Sequence, residues 1–260
     1  MGSHRLSIEA LIGPHSVPLG AHTHDCSYLP DRRATEEAWL VWQLSPAAYH
    51  ELMDRGFRRS GNILYHTACE GCRKCVPIRV PVSEFKPSKS QRRVLNRNDD
   101  VDLYIHEPKL TREKHDVYRR YLQAQHAKSP QGEDIEGMKD FLYTSCVATV
   151  EICYRDRLGK LLGVSLCDVS RRSISSVYHF FDPDEGKRSM GVFSALKEIE
   201  LCRDKKVPYY YLGYWIEGCK AMQYKNQYRP FEVLIDGQWK TGTPAERPGS
   251  GAESAGTEEE

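Results

Sequence analysis

The stretch YHTACEGCRKCVPIR, residues 65–79, places Cys69, Cys72 and Cys75 within seven positions. A Cys-x-x-Cys loop is long enough to turn both of its thiols toward one ion or cluster, so two overlapping loops can present three sulfurs to a common point. Cysteines without a metal or redox role seldom cluster this tightly. The stretch therefore predicts a metal site around which the rest of the chain is arranged.

A fourth ligand for this site has to come from outside the stretch. Cys26 is the nearest cysteine that suits the position, because the remaining cysteines lie downstream in apolar or helical segments. Three histidines are alternatives, namely His22, His24 and His66. Zinc and iron–sulfur clusters both accept all-thiolate ligand sets, so the spacing leaves the identity of the metal open.

Charge is distributed unevenly along the chain. The net charge over 260 residues is only +1, yet residues 54–97 contain eleven Lys and Arg side chains and three Asp and Glu side chains. This local excess of eight positive charges predicts a surface that faces a polyanion. Residues 241–260 are rich in Gly, Ser, Ala and Glu and cannot bury enough apolar surface to fold, so they are predicted to form a disordered acidic tail.

Composition also limits the cellular setting. Hydrophobic residues make up 40% of the chain, which is enough for a core, but no apolar run approaches the roughly 20 residues that a membrane span requires. The N-terminus lacks the apolar block of a signal peptide. Nine cysteines without a secretion signal indicate a reducing compartment. A soluble, cytoplasmic protein without a membrane partner is expected.

Local patterns predict a small Cys-rich N-terminal domain over residues 1–100. Residues 1–25 are expected to be an irregular arm that leads to the first cysteine. Ser45 followed by proline predicts a helix over residues 46–55, and a hairpin is expected over residues 57–65. Residues 75–82 alternate like a strand, but Pro77 and Pro81 favour an edge strand or an irregular extended segment.

Residues 101–240 are predicted to form a second, larger domain. Their pattern indicates a helix over 111–125, an antiparallel meander over 146–181, a helix over 190–204, a strand over 207–216, a short helix over 220–227 and a final strand over 230–239. This order resembles the GNAT-type acyltransferases, in which an acyl donor is held where two central strands of a mixed sheet splay. The expected fold class is therefore α+β with a GNAT-like mixed sheet.

Acetyl-CoA, the usual donor in that fold, binds with its pyrophosphate on a glycine-rich turn at a helix N-terminus. The corresponding turn here would be RSMGVF, residues 188–193. Phe193 occupies a position where a small residue is needed for backbone amides to approach phosphate. CoA is therefore not expected as a cofactor, and another activated acyl donor is required.

Several separate blocks stand out between about residues 26 and 239: CSYLP at 26–30, GFRRSG at 56–61, the cysteine stretch, F-x-PSKSQRR at 85–93, Y-x-x-Y at 118–121 with His126, FDP at 181–183, YLGYWI at 211–216 and M-x-YK-x-x-Y-x-P at 222–230. Together they resemble the aminoacyl-tRNA–protein transferases, which attach an amino acid to the N-terminus of a protein. The resemblance is strongest for the bacterial aspartate/glutamate leucyltransferase branch, with a looser similarity to eukaryotic arginyltransferase. In that family the counterpart cysteines form a metal or iron–sulfur site.

The resemblance implies that the α-amine of a protein beginning with Asp or Glu attacks the ester carbonyl of an aminoacyl-tRNA, which tags the acceptor for degradation through an N-degron pathway. Tyr214, Tyr224 and Lys225 are the candidate catalytic residues. The two tyrosines could donate to the developing oxyanion or to the leaving ribose oxygen, and Lys225 could fix the acidic side chain. Candidates for substrate binding are Arg79, Arg92, Arg93 and His126. Because the ester is already activated, the enzyme mainly has to position the amine and the carbonyl and to stabilise one oxyanion. No strong base is needed.

Binding of the tRNA requires contacts to its phosphates that do not depend on the tRNA sequence. The run from residue 86 to 97 is basic without a single acidic residue and supplies the candidates Lys86, Lys89, Arg92, Arg93 and Arg97. Leucine is the expected donor amino acid, and arginine is the alternative. Two other functions remain open, a non-catalytic metal-stabilised RNA-binding module and a CoA-dependent N-acetyltransferase.

Overall fold

The computed structural model describes residues 6–125 and 134–242, which form an α+β fold. Seven α-helices lie in these ranges: α1 Ile8–Ile12, α2 Pro46–Asp54, α3 Lys89–Arg97, α4 Arg112–Gln125, α5 Ile135–Met138, α6 Met190–Asp204 and α7 Lys220–Gln223. A π-helical turn follows α5, and short 3-10 helices precede α6 and follow α7; the last spans Tyr224–Gln227.

Twelve β-strands are described in the same ranges. In chain order they are β1 Ser16–Asp25, β2 Arg33–Val41, β3 Arg58–Ser60, β4 Ile63–Thr67, β5 Val76–Pro81, β6 Val101–His106, β7 Thr149–Asp156, β8 Leu161–Val169, β9 Ser173–Phe181, β10 Tyr209–Trp215, β11 Glu232–Ile235 and β12 Gln238–Thr241. A four-stranded sheet has the order β1-β2-β4-β3, and an eight-stranded sheet has the order β12-β11-β5-β10-β9-β8-β7-β6. The larger sheet is mixed, because β10 runs parallel to β9 and antiparallel to β5.

Helices predicted from caps and periodicity are confirmed. Ser45 accepts a hydrogen bond from the backbone N–H of Ala48 and starts α2, with proline at the first helical position. Helix α4 packs on β8 and β9 through Val117, Tyr118 and Leu122, which are all buried. Helix α6 covers the same sheet at β9 and β10. The antiparallel meander β7-β8-β9 is also confirmed.

The N-terminal arm was predicted to be irregular, and that prediction is wrong for its described part. Residues 16–25 form β1, which pairs with β2 along its whole length. Because most of β1 is exposed, the sequence carries no apolar alternation that would reveal a strand. The register shifts between Pro18 and Gly20, which accommodates the proline at a bulge.

Strand β5 corrects a second prediction, because it is a central strand of the larger sheet and all six of its residues are buried. Its prolines are tolerated since β11 pairs with it only at Ile78 and Arg79. Neither Pro77 nor Pro81 therefore lies in the part of β5 that is paired on both sides. The chain thus passes from the smaller sheet to the larger one between β4 and β5. The predicted domain boundary at residue 100 stays a prediction.

Two other predictions concern regions that the structure covers only partly. The predicted tail over residues 241–260 lies outside the described residues, except for Thr241 and Gly242. The candidate substrate-binding residue His126 also lies outside them. Within the described ranges, the structure contains no helix with both the length and the apolar character that crossing a bilayer requires.

Candidate active site

Strands β9 and β10 are paired over only three residues. Tyr209, Tyr210 and Tyr211 lie opposite residues 173–175, and no pairing with β9 follows. The register of β10 against β5 shifts between Tyr211 and Gly213, and Gly213 has a φ of +83°, a left-handed conformation that glycine adopts without strain. The bulge turns the second half of β10 away from β9 and opens the middle of the sheet.

Aromatic side chains surround this opening. On the β9 side, Tyr121 of α4 packs edge-on against Tyr178 and Phe181, with ring centroids 6.4 and 5.1 Å apart. On the β10 side, the ring of Tyr224 lies 6.5 Å from that of Tyr228. Desolvation and then the neighbouring Tyr121 raise the pKa of Tyr224 to about 12, so its hydroxyl stays protonated at neutral pH. Tyr224 is 39% exposed and is therefore accessible as a hydrogen-bond donor.

Beside the same opening, β9 contributes a half-buried histidine that the sequence did not reveal. His179 Nδ1 lies 2.9 Å from the hydroxyl oxygen of Ser165, and its Nε2 has no hydrogen-bond partner. Burial lowers the pKa of His179 to about 3, so the imidazole is neutral. A neutral ring with a free nitrogen can exchange a hydrogen bond but cannot supply positive charge.

Lys225 was predicted to be a site residue. It lies in the 3-10 helix that follows α7. Its Nζ donates to the carbonyl oxygen of Tyr214 at 2.9 Å and lies 3.0 Å from the sulfur of Met222. Burial, followed by the positive charge of Arg58, lowers the pKa of this lysine to about 7. The side chain is therefore poised between its charged and neutral forms near physiological pH.

The structure gives Tyr214 a different position from the one expected of a catalytic donor. Its hydroxyl is buried and donates to the carbonyl oxygen of Gly56 at 2.8 Å, which ties β10 to the start of the β3–β4 hairpin. Burial raises its pKa well above the ordinary value for tyrosine. Because this hydroxyl is already used, only Tyr224 and Lys225 remain as candidates beside the opening.

Arg79 was predicted to bind substrate, but its guanidinium is fully engaged within the protein. Its Nε donates to Glu232 at 2.7 Å, and one terminal nitrogen donates to Asp54 at 2.7 Å and to the hydroxyl of Tyr211 at 3.0 Å. The group also lies 3.8 and 4.1 Å from the ring centroids of Tyr209 and Trp239. Two carboxylates neutralise the charge, so Arg79 supports the core rather than a ligand.

Helix α3 carries most of the predicted tRNA-binding residues. Ser88 caps its N-terminus in a capping box with Gln91. None of the five predicted cations forms an ion pair with a carboxylate in the described ranges, and all five are exposed: Lys86, Lys89, Arg92, Arg93 and Arg97. We name this set the α3 basic surface, and it is free to contact phosphates.

A hydrogen bond connects the α3 basic surface to the opening in the sheet. The side-chain amide of Gln91 donates to the carbonyl oxygen of Gln227 at 3.3 Å. Gln227 ends the 3-10 helix that begins at Tyr224 and includes Lys225. A polyanion on the exposed side of α3 would therefore lie next to the segment that carries the two candidate site residues.

The four predicted metal ligands lie in one region. Burial, followed by the charges of the other three cysteines, raises the pKa of the Cys75 thiol to about 12. All-sulfur donors suit zinc or an iron–sulfur cluster, and a bound cation would relieve this mutual repulsion. The cluster comprises Cys26, Cys69, Cys72 and Cys75, and all four thiols are free.

A different group has ligand atoms already close together. In the described part of the chain, His106, Glu151 and Cys153 place one ligand atom each within 4.8 Å of one another. The buried carboxylate of Glu151, however, is ion-paired with Lys114 and accepts a hydrogen bond from Tyr143 at 2.7 Å. An ammonium group thus occupies the place of a metal ion, and the group is satisfied without one. The sequence did not indicate it, because its members come from two strands.

The family models for arginine-tRNA-protein transferase match the chain in two parts, the N terminus over residues 24–93 and the C terminus over residues 113–235. The chain belongs to this family. An aspartate/glutamate leucyltransferase from Pseudomonas putida is 41% identical over 84% of the chain and 93% of its own length. Another with the same name, from Alcanivorax borkumensis, is 41% identical over 84% and 90%. The predicted family resemblance is confirmed.

Likeness to solved structures is much weaker. The structure of L-PGS from Bacillus licheniformis is 12% identical, covers 67% of this chain and 52% of that chain, and gives a TM-score of 0.44. Likeness at this level carries no argument about fold or function.

Proposed function

We propose that this protein transfers leucine from leucyl-tRNA to the α-amine of proteins that begin with Asp or Glu, which tags them for degradation. The observation that carries the proposal is the 41% identity, over almost the whole length of the relatives, to proteins named aspartate/glutamate leucyltransferase. Arginine is the alternative donor amino acid, because the matching family models carry the name of arginine-tRNA-protein transferase.

We place the reaction at the opening between β9 and β10, in a GNAT-like arrangement. Two strands that run parallel for three residues and then part resemble the splayed pair that holds the acyl donor in that fold. The expected exclusion of CoA is part of the proposal. Arg188 donates to both carboxylate oxygens of Asp100, at 2.7 and 2.9 Å, and Phe193 is buried in the core. Neither residue is then available to a pyrophosphate.

The acceptor end of the tRNA is proposed to lie on the α3 basic surface. Exposed lysine and arginine side chains without carboxylate partners release counterions when they bind phosphates, and this release drives binding that does not depend on sequence. The hydrogen bond from Gln91 to Gln227 fixes the distance between this surface and Tyr224. A tRNA held there would deliver its esterified 3′ end to the opening.

The chemistry then needs little beyond positioning. The acceptor α-amine has an ordinary pKa of about 7.7 to 8.0, so a fraction is neutral at pH 7 and attacks the ester carbonyl of the aminoacyl-tRNA. The new C–N bond forms a tetrahedral oxyanion. The ester C–O bond then breaks while the proton lost by the attacking nitrogen passes to the leaving oxygen, which releases the 3′-terminal ribose hydroxyl of the tRNA. The hydroxyl of Tyr224, protonated and accessible, is our candidate donor to that oxyanion.

The four clustered cysteines are proposed to bind zinc or an iron–sulfur cluster that stabilises the N-terminal part of the chain. Metal analysis and the visible absorbance spectrum of anaerobically purified protein distinguish the two. Replacement of Cys72 by Ser should lower the metal content, whereas replacement of the distant Cys202 by Ser should leave it unchanged. A folded protein that contains no metal would contradict this part of the proposal.

Mass spectrometry of an acceptor peptide tests the function directly. An Asp-starting peptide is incubated with the protein and with leucyl-tRNA, arginyl-tRNA or acetyl-CoA in separate reactions. The expected result is a leucine increment with leucyl-tRNA, and an Ala-starting peptide serves as the control. An arginine increment would reassign the donor, an acetyl increment would identify an acetyltransferase, and no increment from a folded protein would favour an RNA-binding module.

A further inference from the structure

Two cations are buried beside the bulge in β10 without a carboxylate partner. Arg58 of β3 and Lys225 are 6% and 9% exposed. Neither forms an ion pair with any residue that the structure describes. Their charges act on each other, because Arg58 contributes to the lowered pKa of Lys225. We name these two residues the cation pair.

Arg58 is held entirely by neutral groups. Its guanidinium donates to three carbonyl oxygens: to Phe57 at 2.6 Å, to Gly213 at 3.0 Å and to Met53 at 3.5 Å. Its Nε is buried and has no hydrogen-bond partner. The aromatic face of Tyr214 lies 5.2 Å from the guanidinium carbon. These contacts fix the position of the group but do not neutralise its charge.

The second cation reaches the same part of β10 from the opposite element. Lys225 donates to the carbonyl oxygen of Tyr214, the residue that follows the acceptor of Arg58. Gly213 lies between them and is partly exposed. A side-chain carbon added at Gly213 would meet only the Nζ of Lys225, at 3.6 Å. Because Gly213 has no side chain, no Cβ atom lies beside the ammonium group at this partly exposed position.

Other buried cations in this protein have carboxylate partners. Arg59 pairs with Asp168, Arg79 pairs with Asp54 and Glu232, and Lys114 pairs with Glu151. Removing two positive charges from water next to each other is costly unless an anion accompanies them. Arg58 adjoins Arg59 in sequence and is buried to the same extent, but Arg59 has a carboxylate partner and Arg58 has none among the described residues. The cation pair is therefore arranged for an anion that the protein itself does not supply.

We propose that the cation pair binds the side-chain carboxylate of the acceptor's N-terminal Asp or Glu. This inference rests on the proposed function and identifies the groups that select the acceptor. The cation pair is buried beside Gly213 and suits a single carboxylate, whereas the exposed α3 basic surface is the better match for the tRNA backbone. A guanidinium and an ammonium together favour a carboxylate over a neutral amide, because both contacts become charge-assisted.

A terminal phosphate of the tRNA is the other anion that the cation pair would attract. The two sources are separated by peptides that begin with Asp, Glu, Asn or Gln, which differ in charge but hardly in size. In the wild-type protein, kcat/KM should favour Asp over Asn. Replacement of Arg58 by Met should reduce that preference roughly 10- to 100-fold, as expected for loss of one charge-assisted contact. The KM for leucyl-tRNA should not change.

Matched variants exclude a general loss of structure. Arg58→Lys retains the charge and should restore part of the preference. Arg155→Met removes a half-buried arginine of β7 that pairs with Glu113 close to the far edge of the sheet, and it should leave the preference at the wild-type value. Far-UV circular dichroism confirms that each variant is folded. An unchanged Asp-to-Asn preference in folded Arg58→Met, or a raised KM for leucyl-tRNA instead, overturns the proposal.

Binding without chemistry separates this proposal from the proposed function. Fluorescence anisotropy of labelled Asp- and Asn-starting peptides is measured with the whole protein and no tRNA. Tighter binding of the Asp peptide that is lost in Arg58→Met supports the cation pair even if no amino acid is transferred. Equal binding of both peptides by the wild-type protein overturns it even if leucine transfer is observed.

Discussion

In the described part of the chain, buried cations beside the first half of strand β10 have carboxylate partners, and those beside its second half do not. Beside the first half, Arg79 is neutralised by Asp54 and Glu232 and is enclosed by aromatic rings. Beside the second half, Arg58 and Lys225 contact only neutral atoms. A buried cation with a carboxylate partner belongs to the core, and a buried cation without one indicates a place for an external anion. Burial alone therefore does not distinguish structural from functional charge.

The largest effect is expected where a neutralised pair is broken. Arg59 and Asp168 are both buried, and Asp168 accepts from Arg59 at 2.5 and 2.7 Å. Replacement of Asp168 by Ala leaves the arginine unpaired and should lower the free energy of unfolding by about 3 to 5 kcal/mol. Urea denaturation followed by circular dichroism measures the loss. The control Glu200→Ala breaks a partly exposed pair on α6 and should change stability by less than about 1 kcal/mol.

An effect of the opposite sign is expected at Lys225. Its pKa falls from 10.5 to about 7 on folding, so Lys225→Met should raise the free energy of unfolding by about 2 to 4 kcal/mol at pH 7 while reducing transfer activity. Between pH 7 and 10.5 the unfolded chain binds the extra proton, so wild-type stability rises with pH there and the advantage of the variant shrinks. Arg58 lowers the pKa of this lysine, and the neighbouring Cys219 raises it.

Urea denaturation of both proteins at pH 7 and pH 10 measures this difference. A stability gap that stays constant between the two pH values would show that Lys225 does not titrate in that range. If Lys225→Met is less stable than the wild type at pH 7, the buried ammonium group of Lys225 does not destabilise the folded protein.

The exposed cations should affect binding rather than stability. Charge reversal at both Arg92 and Arg93 should weaken aminoacyl-tRNA binding and reduce the slope of log K against log salt by about 1.5, which corresponds to two lost phosphate contacts. Filter binding over a range of salt concentrations measures both quantities. Lys139→Glu, on the π-helical turn after α5, is a matched control that should leave the slope unchanged. Unaltered binding in the double variant would place the tRNA on another surface.

The smallest expected change is in the stability of Arg58→Met. Removal of an unpaired buried charge offsets the loss of its carbonyl contacts, so the free energy of unfolding should stay within about 1 kcal/mol of the wild-type value. The same measurement on Arg79→Met leaves Asp54 and Glu232 without their partner and should give a clearly larger loss. Equal losses of stability in Arg58→Met and Arg79→Met would show that the cations beside the two halves of β10 do not differ in their contribution to folding.

The sequence predicted the elements whose signals are local. The Ser45 cap and the apolar spacing of residues 117 and 122 specify helices without reference to the rest of the chain. Strand β1 was missed because its exposed residues carry no alternation, and β5 was placed at an edge because the effect of its prolines depends on where β11 stops pairing. Signals that depend on neighbours distant in the chain were not readable.

The same limit applies to the candidate site. Lys225 and the four cysteines were identified from motifs. The structure places Lys225 beside the bulge of β10, whereas the four-cysteine metal site stays a prediction. Arg79 was misjudged because its carboxylate partners lie 25 and 153 residues away in the sequence. Arg58 was overlooked because a sequence does not show whether a buried cation lacks a carboxylate partner. The block GFRRSG, residues 56–61, was the only signal that could have drawn attention to it.

The central place of β5 has a consequence for how the protein is made. This strand leaves the ribosome early, but its neighbours in the sheet contact it across separations of 132 and 153 residues. The larger sheet can therefore close only when synthesis is nearly finished, and pairing over such long separations is slow. Until then the apolar β5 is an unprotected segment that nascent-chain chaperones would be expected to bind. A fragment beginning at residue 101 would lack the middle of its own sheet.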